Sequence, residues 1–254
     1  MHFPVNIHLG KLQFPLHAVT ETLGIFVGFR YFLWLRKKQT DIIETSNRIW
    51  ILIAAIFGAL VGSRLIGGLE DIHALAKAPN QLLYFYQNKT VLGGFLFAVW
   101  SVELAKWLIG EKKASGDLFV YPMILALIIG RIGCFSMGVY EETYGSVSSL
   151  PWAMNLGDGL LRHPVTLYEI LFLILLWAAL KQLDKYALAN GAKFKLLMMG
   201  YLLFRFLLDF IKPHYTFNIG LSTIQITCVI GMVYYARYFI NPRLLFKTGT
   251  PALL

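Results

Sequence analysis

Residues 48–69 read RIWILIAAIFGALVGSRLIGGL, an apolar run whose only charged residues are Arg48 at its start and Arg64 near its end. A helix that crosses a bilayer needs about 20 predominantly apolar residues, so this stretch reads as a membrane span with a charge inside it. Working outward, six more runs have the same character, at 16–36, 91–110, 118–138, 164–182, 195–212 and 222–240. The expected fold is an all-α membrane protein, a polytopic bundle of seven transmembrane helices forming one integral domain over residues 1–254. The third and sixth runs are the most polar, holding Glu103 and Lys106, and Arg205 and Asp209. Composition agrees: the chain is 57% hydrophobic and 15% charged, where soluble domains are about 25% charged. Mean hydropathy is +0.61.

The basic residues give an orientation. Lys and Arg gather on the cytoplasmic side of membrane proteins. Arg36, Lys37, Lys38 and Arg48, then Lys112 and Lys113, then Lys181, Lys185, Lys193 and Lys195, then Arg237, Arg243 and Lys247 fall in alternate connections. The other side holds Lys11, Lys77, Lys89, Arg162 and Lys212. This pattern predicts an outer N-terminus and a cytoplasmic C-terminus. The net charge of +9 then reports topology and attraction to anionic lipid, and a nucleic-acid partner is not expected. The first fifteen residues, MHFPVNIHLGKLQFP, lack a basic region followed by an apolar one and are expected to form an ordered outer arm. Residues 139–163, rich in Gly and Ser with acidic residues, form an outer loop suited to covering a site. Cys134 and Cys228 fall inside spans; they make no disulfide framework and show no metal-ligand spacing in sequence.

Charge inside a bilayer is costly and marks a pathway or an active site. At 1.5 Å rise per residue, His17, Glu21, Arg64, Arg131, His163, Tyr168, Glu169, Arg205 and Asp209 all fall toward the outer ends of their spans. Tyr201, Arg205 and Asp209 follow each other at i, i+4, i+8, one helix face. Three arginines from three helices at one level suggest an anion site, because guanidinium pairs bidentately with phosphate. Carboxylates nearby would orient them or act as bases. Blander readings exist for each residue. Arg205–Asp209 and His17–Glu21 are also spaced for intrahelical pairs, Arg30 for snorkelling, Glu103–Lys106 for pairing, and Tyr121, Trp152 and Tyr168 for an interfacial aromatic belt. Gly62, Gly93, Gly94, Gly130 and Gly133 allow close helix packing or backbone approach to a ligand, and Gly145 suits a loop turn. On these residues alone, an intramembrane enzyme or a transporter is the leading reading.

Four motifs then point to a family. GRIGCFSMG (Gly130–Gly138), Tyr144-Gly145, RHPVTLYE (Arg162–Glu169) and GYLLFRFLLDFIKP (Gly200–Pro213) resemble, in order and spacing, the phosphatidylglycerol–prolipoprotein diacylglyceryl transferases. The resemblance covers essentially the whole chain. It implies transfer of a diacylglyceryl group from phosphatidylglycerol to the lipobox cysteine of a prolipoprotein signal peptide, with glycerol 1-phosphate leaving, in a bacterial inner membrane. It implies no metal or organic cofactor. By motif, Arg131 and Arg205 bind the phosphate, and Tyr201 and Asp209 support Arg205. His163, Tyr168 and Glu169 shape the outer wall, and Gly145 matches a family glycine.

The chain also departs from the family pattern. Cys134 stands where the family has Asn, Val139 where it has Glu, and Leu92 where it has a functional His. The window around HAVTE (His17–Glu21) lacks the family's Tyr. Glu141 or Glu142 is placed to compensate for Val139, and His17 or Glu21 to take over base or headgroup duties. A divergent transferase is therefore favoured. The alternatives are a lipid-binding or transport paralogue that kept the anion cavity, or a transferase with another donor or acceptor. A transporter would more often show repeated halves, and none is seen here.

Overall fold

The computed structural model describes residues 3–10, 12–39 and 41–247; Lys11, counted above on the outer side, lies outside them. The described chain is mostly helical. Its long helices fall where the apolar runs predict: α1 (Leu16–Lys38) and α2 (Thr45–Gly68), then, after two short helices α3 (Ile72–Lys77) and α4 (Gln81–Gln87), α5 (Val91–Leu108) and α6 (Val120–Met137). α7 (Val165–Leu183), α8 (Ala192–Asp209), α9 (Thr223–Tyr234) and a short α10 (Ala236–Ile240) complete the order. Five are long and apolar enough to cross a membrane: α1, α2, α5, α6 with its flanking 3-10 turns, and α7. α8 is diluted by Lys193, Lys195, Arg205 and Asp209, and α9 is only 12 residues long.

Helices that bury every face are rare here. Ile56 and Phe57 of α2 are 67% and 65% exposed, which suits side chains meeting lipid and would be a liability in water. α8 buries more residues than the others, although Leu203 and Leu207 stay 45% and 57% exposed. One buried cluster joins Leu92, Leu96, Met198, Leu202, Ile224 and Cys228 across α5, α8 and α9. A second joins Val120, Ile124, Leu173, Leu197 and Tyr201 across α6, α7 and α8. α8 lies between the two cores, so its polar face is also buried.

Two glycine contacts set the helix spacing near the site. A Cβ on Gly62 would stand 2.3 Å from Phe97 Cβ and 2.4 Å from the Gly93 carbonyl oxygen, so α2 and α5 cross with backbones nearly touching. A Cβ on Gly133 would stand 2.0 Å from Thr20 Oγ1 and 3.1 Å from His17 Cα. Gly133 therefore lets α1 lie against α6, which brings His17 beside the turn that holds Arg131 and Cys134.

The all-α expectation needs one adjustment. The outer arm contains a hairpin of β1 (Asn6–Leu9) and β2 (Leu12–Pro15), and the 139–163 loop contains a two-residue pair, β3 (Met154–Asn155) with β4 (Leu161–Arg162). Backbone groups outside helices still need partners, and these short ladders supply them. Val5 N–H donates to the Ser136 carbonyl at 2.8 Å, and Phe3 meets Phe135 edge-on at 5.8 Å. The arm is thereby fastened to the end of α6. The two short helices in the 69–90 connection were not anticipated either; Asp71 and Asn80 cap them, their carboxylate and amide oxygens accepting backbone N–H groups.

Candidate active site

Glu169, on the first turns of α7, is 2% exposed and organises the centre. Its Oε1 lies 2.9 Å from Arg131 Nε and accepts from the Tyr201 hydroxyl at 2.8 Å. Its Oε2 accepts from Arg205 NH1 at 3.2 Å. Arg131 comes from α6 and Tyr201 and Arg205 from successive turns of α8, so three helices meet on one carboxylate. Two guanidiniums against one carboxylate leave one net positive charge in a buried place. Such a triad is costly to assemble away from water, and Arg205 Nε has no hydrogen-bond partner among the described residues. Guanidinium carries five donors, so the pair retains capacity for a further anion.

Asp209 does not pair with Arg205, although the i, i+4 spacing allowed it. It accepts a short hydrogen bond from Ser222 Oγ and lies 3.6 Å from His214 Nδ1. Ser222 is the N-cap of α9, in a reciprocal capping box with Gln225. Asp209 therefore ties the end of α8 to the start of α9. Glu70, between α2 and α3, was not singled out in the sequence. Burial pushes its carboxyl above the ordinary value, while the charges of Lys212 and Arg205 pull it down.

A second polar group lies beside the first. His17 Nδ1 is 3.0 Å from Glu141 Oε2, and His17 Nε2 is 3.4 Å from Glu21 Oε2. Lys89 Nζ closes on both Glu21 oxygens at 2.5 and 2.7 Å. Cys134 Sγ adjoins His17 and Glu141, the three candidate ligand atoms lying within 4.8 Å of one another. Arg131 NH1 reaches Cys134 Sγ at 3.5 Å, so one arginine touches both groups. Of the two acidic residues weighed for this loop, Glu141 is the one that touches His17; Glu142 is exposed. Glu141 follows a turn that Gly138 makes possible at φ +59° as it ends α6. That is why a loop residue folds back to the first helix.

The remaining predicted residues stand apart. Arg64 stacks on Tyr86 of α4, its guanidinium carbon 5.0 Å from the ring centroid, because residue 64 of α2 faces the connection to α4. The three-arginine level thus divides into a pair on Glu169 and one outlier. His163 Nδ1 lies 3.2 Å from the Tyr168 hydroxyl, which accepts from Trp152 Nε1 at 2.8 Å. Glu169, one residue later, is turned about 100° around the helix into the core, away from the outer wall. Gly145 is buried under His163, where a Cβ would lie 2.5 Å from the His163 Cβ. Glu103 and Lys106 pair at 3.1 Å at the opposite end of the bundle.

The family model described as Prolipoprotein diacylglyceryl transferase matches residues 4–240. A phosphatidylglycerol–prolipoprotein diacylglyceryl transferase of Bordetella bronchiseptica is 33% identical over 229 residues, covering 82% of each chain. One of Methylobacillus flagellatus is 30% identical over 251 residues, covering 86% of this chain and 88% of its own. One of Pseudomonas aeruginosa is 28% identical over 229 residues, covering 82% and 80%. The chain belongs to the prolipoprotein diacylglyceryl transferase family.

Proposed function

We propose that the chain transfers a diacylglyceryl group from phosphatidylglycerol to the lipobox cysteine of prolipoproteins, within a bacterial inner membrane. The observation that carries this reading is the pair of buried guanidiniums held on Glu169. In the reaction the acceptor thiolate attacks the glyceryl carbon that bears the phosphate. A carbon–sulfur bond forms, the carbon–oxygen bond breaks, and glycerol 1-phosphate leaves with the electron pair. Arg131 and Arg205 hold the charge that grows on that phosphate, where a fixed, dry pair of donors is most effective. Glu169 and Tyr201 keep the two forks in register, and Asp209 fixes α8 against α9.

The acceptor side of the site is the His17 group. A thiol has an ordinary pKa near 8.5 and reacts only as thiolate, so it needs a partner that removes its proton. His17, flanked by Glu21 and Glu141, stands next to Arg131 through Cys134 and is placed for that duty. His163, Tyr168 and Trp152 border the outer loop on the acceptor's approach. In this reading α8 and α9 with α10 complete seven spans, the N-terminal hairpin and the 139–163 loop face outward, and the C-terminus is cytoplasmic. The basic connections on alternate sides support it.

The test is a transfer reaction with purified protein, phosphatidylglycerol and a lipobox peptide, followed by mass spectrometry. The expected result is a peptide thioether together with free glycerol phosphate, both lost when the peptide cysteine is replaced by serine. Phosphatidylglycerol binding without thioether would sink the reading in favour of a binding paralogue.

A further inference from the structure

We propose that the cytoplasmic half of the bundle holds a phospholipid site, separate from the arginine pair. One acyl chain lies in an apolar cavity between α2, α5 and α8, and the lipid phosphate rests on Lys195. The site does not depend on the transferase reading; only its leaflet follows from the orientation proposed above.

The cavity measures about 190 Å³. Ala55 of α2, Ala98 of α5 and Ala114 keep its walls apart with small side chains, and Phe95, Val99 and Met198 make it apolar. An apolar cavity of about 150 Å³ stays dry and takes a benzene-sized guest, so this one accommodates roughly seven carbons of a chain. Between Glu103 and Phe95 it follows α5 for roughly 12 Å, at about 1.5 Å per residue. The apolar depth of one leaflet is about 15 Å, half of the hydrocarbon core. The cavity therefore has nearly the depth of a single chain entering from one surface. Toward the cytoplasm it is closed by backbone contact. A Cβ on Gly116 would stand 2.5 Å from Phe194 Cγ, and one on Gly191 would stand 2.7 Å from Ala114 Cβ. Access is sideways instead: Glu103 of α5 and Tyr234 of α9 line the cavity and are also exposed, as are their chain neighbours Leu104 and Val233. A mouth between two lipid-facing helices admits a lipid rather than a water-soluble ligand.

Polarity along the cavity runs in the sense of a lipid. Its deep end is the Phe95 ring, packed on Tyr201 with centroids 5.3 Å apart. Its other end carries Glu103, Ser115 and Lys195, beside the connections that hold Lys112, Lys113 and Lys193. Charge at that end suits a phosphate. Lys106 answers Glu103 at 3.1 Å. Lys195 Nζ sits 4.3 Å from the Tyr238 ring centroid and has no carboxylate partner among the described residues. An unanswered ammonium at the cytoplasmic surface attracts an anionic lipid, and a lysine stem bridges apolar wall and polar headgroup. A mere packing void needs neither a lateral mouth nor an unanswered cation.

The experiment is photolabelling of the purified full-length protein in a phosphate-free maltoside detergent. The probe is phosphatidic acid with a diazirine near the end of one chain, and labelled residues are mapped by mass spectrometry. The expected result is labelling at Phe95, Val99 or Met198 that unlabelled phosphatidic acid competes away. Lys195→Gln should raise the half-saturating probe concentration about fivefold. Ala98→Phe, which fills the cavity, should abolish the labelling; because it also crowds the bundle, Lys195→Gln at the mouth carries the test by itself. Labelling confined to the lipid-facing Ile56 and Phe57, or half-saturation unmoved by Lys195→Gln, overturns the site. A second probe, phosphatidylglycerol with the same diazirine, separates the source of the chain. Labelling of Phe95 that Arg131→Ala and Arg205→Ala abolish and Lys195→Gln leaves unchanged gives the cavity to a lipid held at the arginine pair, and overturns the separate site. Transfer activity is not part of the readout, so failure of the transferase reading and failure of this site are told apart.

Discussion

Glu169 decides the site at the scale of single residues, because both guanidiniums depend on it. Glu169→Gln leaves two like charges facing each other in a buried place, so both turnover and thermal stability should fall. Glu169→Asp, which keeps the charge on a shorter arm, should recover stability more than activity. Thermal unfolding in detergent alongside the transfer assay reads both. Tyr201, Arg205 and Asp209 stand out in the sequence at helical intervals along one apolar run, and Arg131 as a charge inside another; that Asp209 turns to Ser222 rather than to Arg205 does not show there. Nor does the role of Glu169: its neighbour Tyr168 does lie toward the outer loop, and one residue of helix turns Glu169 into the core. Glu141, Cys134 and Lys89 were harder still. Their meeting with His17 and Glu21 depends on the α1–α6 contact at Gly133 and the turn at Gly138, which no spacing along the chain reveals.

Packing between elements accounts for the close crossing of α2 and α5. Gly62→Ala puts a methyl within 2.4 Å of the Gly93 carbonyl oxygen, and overpacking of this kind costs about 1–3 kcal/mol. The expected outcome is a lower Tm, with lipid headgroup preference unchanged. The turn between α1 and α2 is held by charge. Asp41 accepts from Arg36 Nε at 3.0 Å and Arg48 Nε at 2.9 Å, and buried Arg48 also donates to the Ser115 carbonyl at 2.8 Å. Burial pushes the Asp41 carboxyl up, but hydrogen bonds from Arg48 and the Ile43 N–H, with the charges of Arg48 and Arg36, hold it below its ordinary value. Its stabilising effect is therefore present above the unfolded value of about 3.9 and is lost as pH falls through the lowered folded value. Acidifying below about pH 4 should lower the Tm, and Asp41→Asn should remove that step while costing about 3–5 kcal/mol at neutral pH. The long helices were readable from hydropathy alone. α8 was readable only in part, because its charges dilute the apolar signal while its burial between two cores conceals their cost.

Taken as a whole, the molecule is a lipid-facing helical bundle with one buried positive pair, next to a histidine group, at one end. The basic connections argue for an outer N-terminus, and cysteine labelling of a residue in the 139–163 loop from outside intact cells should succeed where labelling near Lys112 fails. Labelling of both from one side contradicts the proposed orientation. The central claim is that Arg131 and Arg205 together hold the leaving phosphate, and turnover of the Arg131→Ala, Arg205→Ala and Arg30→Ala variants in the transfer assay tests it most directly. The account predicts a loss of about 10²–10³-fold or more for the first two and near-normal turnover for Arg30→Ala, an exposed residue on α1. Equal losses for all three, or full activity without either buried arginine, would contradict it.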